Sequence, residues 1–395
     1  MAYRITNSTV IRAGYGISTD PVFFLGYTEQ GRINFPYIEG QILLPPNSFS
    51  YGTTLRLGLP TVTPPDTSTG TIPVPSNVVV TTFDNGNYVR GYIQSYNLTL
   101  ERRVKTWLLS SAYVGSRSVD QQDNLQANWS PIGGGTAGEV LNPLTGRTAS
   151  TLYLGTLGTN KYDSLQMQAR GRFSGYQIGL SYTFSKAMGY SINPAVQIPQ
   201  YFGLNYGPLP TDVTQMFSAT AIAELPFGKG KRWLQSGFAA KLAGGWQMTT
   251  VVTARTGLPF TPTASTSSLN SPFSTQFADC VGTPQELGAV YQWYAKSAFA
   301  VPAAGRFGTC GTDSLRQPGL VGADLGLQRK FQLNERFQLM FRGELFNVAN
   351  SPHLSIPSAN TSVNASSFLQ MTQIVSTGRD GVEQRDVRLS LRLAW

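Results

Sequence analysis

Between Tyr176 and Phe184 the apolar residues Tyr176, Ile178, Leu180, Tyr182 and Phe184 alternate without a break with Gln177, Gly179, Ser181 and Thr183. A strand sends successive side chains to opposite faces, so this is the pattern of a strand apolar on one side and wet on the other. The C-terminus repeats it: Val387, Leu389, Leu391, Leu393 and Trp395 share one face, and Arg388, Ser390, Arg392 and Ala394 the other. Phe337, Leu339, Phe341 and Leu345 likewise oppose Gln338, Arg342 and Glu344, and Leu165, Met167, Ala169 and Phe173 oppose Gln166, Gln168, Arg170 and Arg172.

Reading the whole chain this way predicts strands over 1–5, 9–17, 91–103, 105–117, 162–173, 176–187, 214–226, 241–255, 319–331, 336–347 and 384–395. Apart from the first two, each has about the length that a tilted strand needs to cross a bilayer. The connections alternate between shorter and longer: 6–8 then 18–90, Val104 then 118–161, 174–175 then 188–213, 227–240 then 256–318, 332–335 then 348–383. Short turns on one side and long loops on the other mark an outer-membrane barrel, with periplasmic turns and extracellular loops. A soluble sandwich has no reason to sort its loops so.

Composition agrees. Only 13% of the chain is Asp, Glu, Lys or Arg, about half the usual share of roughly 25%, as expected where one face meets lipid and avoids charge. Gly (41) and Pro (24) are abundant, which disfavours a helical bundle. The net charge of +9 is scattered singly through the alternating segments and forms no basic block, so nucleic-acid binding is not expected. No run of 18 or more apolar residues offers a helical span, a test that leaves strands untouched. Trp107, Tyr113, Phe173, Tyr176, Trp246, Phe331 and Trp395 fall near strand ends, where interfacial girdles lie.

The ending Leu391-Arg392-Leu393-Ala394-Trp395 resembles the C-terminal assembly signal of bacterial outer-membrane proteins. Such a terminus lies on the periplasmic side and engages the barrel-assembly machinery, which puts every long loop outside. The first segment then runs in the same direction as the last, so eleven segments do not close by antiparallel pairing. The opening residues MAYRITNSTVIRAGYG carry no basic region followed by an apolar one. The expectation is a chain whose front lies elsewhere.

At this point the residues resemble a family, the Oar-like TonB-dependent receptors. The resemblance runs through AYVGSR (112–117), YDSLQMQARGRF (162–173), LSYTFSKA (180–187), ELPFGKGKRWL (224–234), GGWQMTTVVTARTGLPF (244–260) and FGTCGTDSLRQPGLVGADLGLQRKFQLNERFQLMFRGELFNVANSPH (307–353). It implies barrels of about 22 strands with a plug in the lumen, a TonB-contacting segment and an N-terminal carboxypeptidase-regulatory-like domain. On that reading residues 1–395 are the C-terminal part of the barrel domain, and the plug, the TonB box and the regulatory-like domain are absent from them.

Catalytic chemistry finds little support. The one imidazole, His353, sits in the loop Ser351-Pro352-His353-Leu354, and a Ser, His and Asp arrangement has no second choice. Gly133-Gly134-Gly135 and Gly228-Lys229-Gly230-Lys231 do not fit a phosphate-binding loop and read as a flexible loop and a periplasmic turn. Trp293 to Phe299 reads as a short helix or turn packed on itself. No metal or cofactor site is expected, since Cys280 and Cys310 lack zinc-site spacing. Both lie in the loop 256–318 on the oxidising outer side, where a disulfide is expected over two separate buried thiols.

The fold class is therefore all-β: about 10–11 antiparallel transmembrane strands, an incomplete portion of a 22-strand barrel, with long extracellular loops and short periplasmic turns. Arg170, Arg172, Arg342, Glu344, Arg388 and Arg392 are the candidate lumen-facing charges. Glu101, Glu224, Asp324 and Glu344 are expected to pair with the arginines; the other reading is that the arginines hold an acidic plug surface or an anionic ligand. The expected function is that of a non-enzymatic outer-membrane TonB-dependent receptor, its partners the membrane lipid, the missing N-terminal barrel and plug segments and, through the plug, the TonB complex. A ten-strand porin-like channel made from 9–395 and a secreted β-rich adhesin are the alternatives.

Overall fold

The alternating segments form strands, and each strand pairs with the next in sequence. The computed structural model describes residues 1–19, 45, 47, 49–59, 61, 66, 68–83, 89–375 and 384–395. Eleven strands make one antiparallel meander: β1 Ala2–Thr6, β2 Thr9–Thr19, β3 Tyr92–Val104, β4 Trp107–Gln126, β5 Thr151–Phe173, β6 Tyr176–Gly189, β7 Gln215–Glu224, β8 Trp246–Arg255, β9 Leu320–Gln332, β10 Gln338–Phe346 and β11 Asp386–Ala394. Two short pieces complete the 13-stranded sheet. Val80–Phe83 lies parallel to the start of β5, and Gly207–Pro208 lies against the end of β6.

Register carries the apolar pattern across the sheet. Leu100 faces Ser111, Ser111 faces Met167, Met167 faces Tyr182 and Tyr182 faces Phe217. Further along, Leu327 faces Gly343, Gly343 faces Leu389 and Phe341 faces Leu391. Leu180, Tyr182, Leu339, Phe341, Leu389 and Leu391 thus share one apolar face, and a one-residue slip anywhere would turn a strand's apolar set over.

Aromatic side chains lie flat on this face, and glycine makes room for two of them. A Cβ on Gly171 would come within 2.9 Å of the Trp107 indole, and one on Gly115 within 2.4 Å of the Tyr96 ring. At the turn end Trp107 meets Phe173 edge-on at 5.3 Å, and Trp246 meets Phe341 at 5.8 Å. Near the loop end the apolar face carries Asp163, whose carboxylate accepts from Arg117 at 3.1 Å, Tyr113 at 2.6 Å and Tyr96 at 3.2 Å. Amphipathic rings around an ion pair mark the level where such a face leaves hydrocarbon.

The structure corrects several expectations. β4 and β5 run on together to Gln126 and back to Thr151, well past a membrane's thickness. Their alternation is broken by register shifts between Ser118 and Asp123, with Asp120 at a φ of 54°, which hides the extension from a period-2 reading. β8 begins at Trp246, because Gly237–Ala243 is a helix stopped by Gly244 and Gly245. Most of the expected loop 18–90, and its end piece 376–383 of the loop 348–383, lie outside the described residues. The ten-strand closure is overturned: β2 pairs with β1 on one side and β3 on the other, while β11 pairs only with β10 among the described residues. Among the described residues the sheet is open, with β1 and β11 at its edges.

Candidate functional site

The opposite face is polar. Arg12 and Glu101 pair on it at 2.9 Å, Arg342 and Glu344 at 2.6 Å, and Arg388 and Asp386 at 2.7 Å. Arg170 donates to Gln168 at 3.3 Å, Arg172 stands opposite Gln177, and Arg392 opposite Met340. All six candidate charges therefore share this face, but the sheet does not gather them into one site. Arg170 and Arg172 are on β5, five and six strands along the meander from β10 and β11, which carry the other four. Among the acids expected as partners, Glu344 takes Arg342, whereas Glu101 takes Arg12 and Glu224 takes Lys231 at 2.6 Å. These pairs are half-exposed, so each contributes at most about 1 kcal/mol.

The long loops fold over the polar face at one end. Ser185 on β6 donates to the Val213 carbonyl at 2.8 Å, Asn347 N donates to the Asp324 carboxylate at 2.9 Å, and His353 lies against Gly322. His353 is a loop residue, as expected, but a buried one, with Nε2 3.1 Å from the Val321 carbonyl oxygen.

These loops have their own cores. Phe260, Tyr294, Phe299, Leu315, Ile356 and Leu369 belong to one buried cluster drawn from 256–318 and 348–375, and Val196, Ile198, Leu269, Phe277 and Phe307 form a second. Trp293 to Phe299 contains the short turn expected from the sequence, and Trp293 meets Tyr294 edge-on, but the segment packs mainly into the first cluster. Gln292–Tyr294 is a strand, Lys296–Ala298 a single 3₁₀ turn, and both Trp293 Nε1 (3.0 Å) and the Tyr294 hydroxyl (3.1 Å) donate to the Arg316 carbonyl. Cys280 and Cys310 are bridged, with Cα atoms 5.0 Å apart, and Cys310 lies inside the first cluster.

Buried charge pins the loops in place. The Arg316 guanidinium donates to the Asp212 carboxylate and, at 3.1 Å, to the Gly257 carbonyl, while Asp212 also accepts from Ala187 N at 2.6 Å. Arg306 donates to Asp279 at 2.8 Å and holds that carboxyl below its ordinary range, with help from Thr309 N. Glu139, buried beside Asn128 at 2.7 Å, is pushed up by burial. None of these pairs is visible in the sequence, since the partners in the first two lie 104 and 27 residues apart and no periodicity links them.

Between the loops and the polar face is a cleft of about 320 Å³ lined by Arg255, Pro259, Gln317, His353, Ile356 and Gln373. Arg255 has no ion pair among the described residues, which leaves a cation on the cleft wall. A concave, mixed-polarity cleft of this size suits a small solute or one end of a larger one. Among the described residues no group of His, Cys, Asp and Glu could hold a metal ion, and no helix is long and apolar enough to cross a membrane.

Comparison with known proteins fits this architecture. The family model for the outer membrane beta barrel domain matches residues 1–387. Among solved structures, the outer membrane transporter YddB from Escherichia coli aligns over 100% of this chain and 39% of its own, at 10% identity and a TM-score of 0.52. The ferric-catecholate import receptor Fiu from E. coli K12 aligns over 100% and 34%, at 11% identity and a TM-score of 0.42. The ferripyoverdine receptor of Pseudomonas aeruginosa aligns over 100% and 32%, at 9% and 0.45. The chain thus spans little more than a third of the solved chains it matches. No curated protein sequence matches it. An open meander with one apolar face, one polar face and loops gathered at one end, matched by that model over nearly its whole length, belongs to the outer membrane beta barrel domain family and resides in the outer membrane.

Proposed function

We propose that the chain is the C-terminal part of the barrel of an Oar-like TonB-dependent receptor, which binds or imports a nutrient through a lumen lined by the polar face and gated by a plug that lies outside these residues. The observation that supports the reading is a pair of sheet edges with no partner strand among the described residues, on a sheet that is apolar on one face and polar on the other. In lipid each unsatisfied backbone group costs several kcal/mol, so β1 and β11 call for further strands between them. The extracellular loop cap and its cleft at Arg255 and His353 are then the place where solute first meets the barrel. Arg342, Glu344, Arg388 and Arg392 on β10 and β11, and Arg170 and Arg172 on β5, offer the lumen charges for a plug surface or an anionic solute to meet.

The test is assembly and energy dependence. Expressed alone, the 395-residue chain should fail to give a compact, heat-modifiable band on a gel, and supplying the remaining barrel strands and plug should restore it. Nutrient uptake by the assembled receptor should stop when TonB is deleted. A heat-modifiable barrel formed by the 395 residues alone would reject the proposal.

A further inference from the structure

The turn between β7 and β8 is unlike the others on the periplasmic side. The turns that lead into β4 and β6, Lys105–Thr106 and Ser174–Gly175, are two residues long, whereas residues 225–245 hold a loop closed by a parallel bridge between Phe227 and Trp233 and the Gly237–Ala243 helix. This helix is latched to the outside of the sheet. Its Leu242 carbonyl accepts from Trp246 Nε1 at 3.1 Å and from Arg329, which also donates to the Lys241 carbonyl. Trp246 and Arg329 face each other in register on the apolar face, where the Arg329 guanidinium lies 4.3 Å from the centre of the Phe331 ring.

The side chains that this latch leaves uncovered are of two kinds. Phe238 and Leu242, four residues apart on one helix face, are 80% and 63% exposed. Lys229, Arg232 and Lys241 have no ion pair among the described residues, Lys231 being held by Glu224, and 225–245 contains no Asp or Glu. The helix thus continues the apolar face of the sheet, beside Lys229 and Lys241, which have no ion pair among the described residues, and Arg232, whose guanidinium lies 5.2 Å from the centre of the Trp233 ring.

We propose that residues 229–243 form an interfacial anchor. Phe238 and Leu242 enter the periplasmic leaflet of the outer membrane, and Lys229, Arg232 and Lys241 bind the phosphates of anionic glycerophospholipids there. An amphipathic helix with cations beside an apolar face lies in the plane of such an interface, and anionic headgroups attract each nearby Lys or Arg. The inference rests on the barrel's placement in the membrane and not on TonB dependence.

The test uses the barrel as it assembles in the outer membrane, purified and reconstituted in phosphatidylcholine vesicles with or without phosphatidylglycerol. Bimane is attached in one preparation to Phe238→Cys and in another to Leu180→Cys, a site on the lipid face of β6; the bridged Cys280 and Cys310 do not react. Bromine carried on the upper acyl chain of phosphatidylglycerol should quench the Phe238 site more than the same label on phosphatidylcholine. Replacing Lys229, Arg232 and Lys241 by Gln should abolish that preference, since each cation near the surface is worth roughly fivefold. A Phe238 site that is unquenched while the Leu180 site is quenched overturns the anchor and leaves the barrel standing. Loss of quenching at both sites overturns the barrel placement as well. Equal quenching by both lipids, unchanged in the Gln variant, overturns the headgroup binding.

Discussion

Arg316 donates to the carboxylate of Asp212, a side chain only 1% exposed, and so fastens the loop 256–318 to the residues that lead into β7. Removing one partner of a buried pair leaves an uncompensated charge, at a cost of about 3–5 kcal/mol. Arg316→Ala should therefore loosen the extracellular cap while the strands stay assembled. Limited proteolysis of intact cells should cut 190–213 and 256–318 faster than in the parent protein. Unchanged protection would show that the pair does not hold the cap.

The Cys280–Cys310 bridge joins the short strands Asp279–Cys280 and Phe299–Ala300 to the buried cluster around Phe299 and Leu315. Closing a loop of this length stabilises the folded state by about 3–4 kcal/mol in the chain-entropy account. Unreduced, denatured protein should show no reactive thiol and reduced protein two. Replacing both cysteines by Ser should make the loop, but not the strands, more sensitive to heat and protease.

Acid should open the same loop. Arg306 depresses the Asp279 carboxyl, so the native state binds fewer protons there than the unfolded chain, whose Asp titrates near pH 4. The pair's contribution is present above about pH 4 and is lost as pH falls through the lower native value. Hydrogen exchange at Thr309 and Cys280, whose amides are tied to this corner, should accelerate below that pH. In Arg306→Gln the exchange should depend less on acid, and an unaltered pH profile would contradict the assignment.

Leu391 is 67% exposed on the apolar face near the middle of β11. If it lies at the bilayer midplane, Leu391→Arg should cost roughly 2–4 kcal/mol of folding free energy in lipid. Urea titration in vesicles measures this directly, and parent-like stability of the variant would count against the orientation of the whole sheet.

How much was legible in the sequence depends on what fixed each residue. In β6 and β11 lipid on one side and a polar interior on the other impose opposite demands on neighbouring residues, so the alternation of Leu180 with Ser181 or Leu391 with Arg392 reports the fold directly. Past Arg117 that demand stops. The joint extension of β4 and β5 is carried by backbone pairing across two bulges and leaves no period in the side chains. The loop cores were hidden for a related reason: Val196, Leu269 and Phe307 come together through tertiary packing between distant segments, and an apolar residue in a long loop carries no label of its partner. The helix Gly237–Ala243 straddles an expected turn, 227–240, and the start of an expected strand, 241–255, because Leu242 and Trp246 extend the apolar pattern of β8 backwards over its last turn.

The central claim is that one face of this meander meets lipid and the other a wet interior, strand after strand. A cysteine scan along β11, residues 387–393, in assembled outer membranes tests it most directly. Bimane at Val387, Leu389, Leu391 and Leu393 should be quenched by brominated lipid, while Arg388, Ser390 and Arg392 should react with a water-soluble maleimide and remain unquenched. Equal behaviour at neighbouring positions, or lipid quenching at Arg388 and Arg392 in place of the leucines, would contradict the account.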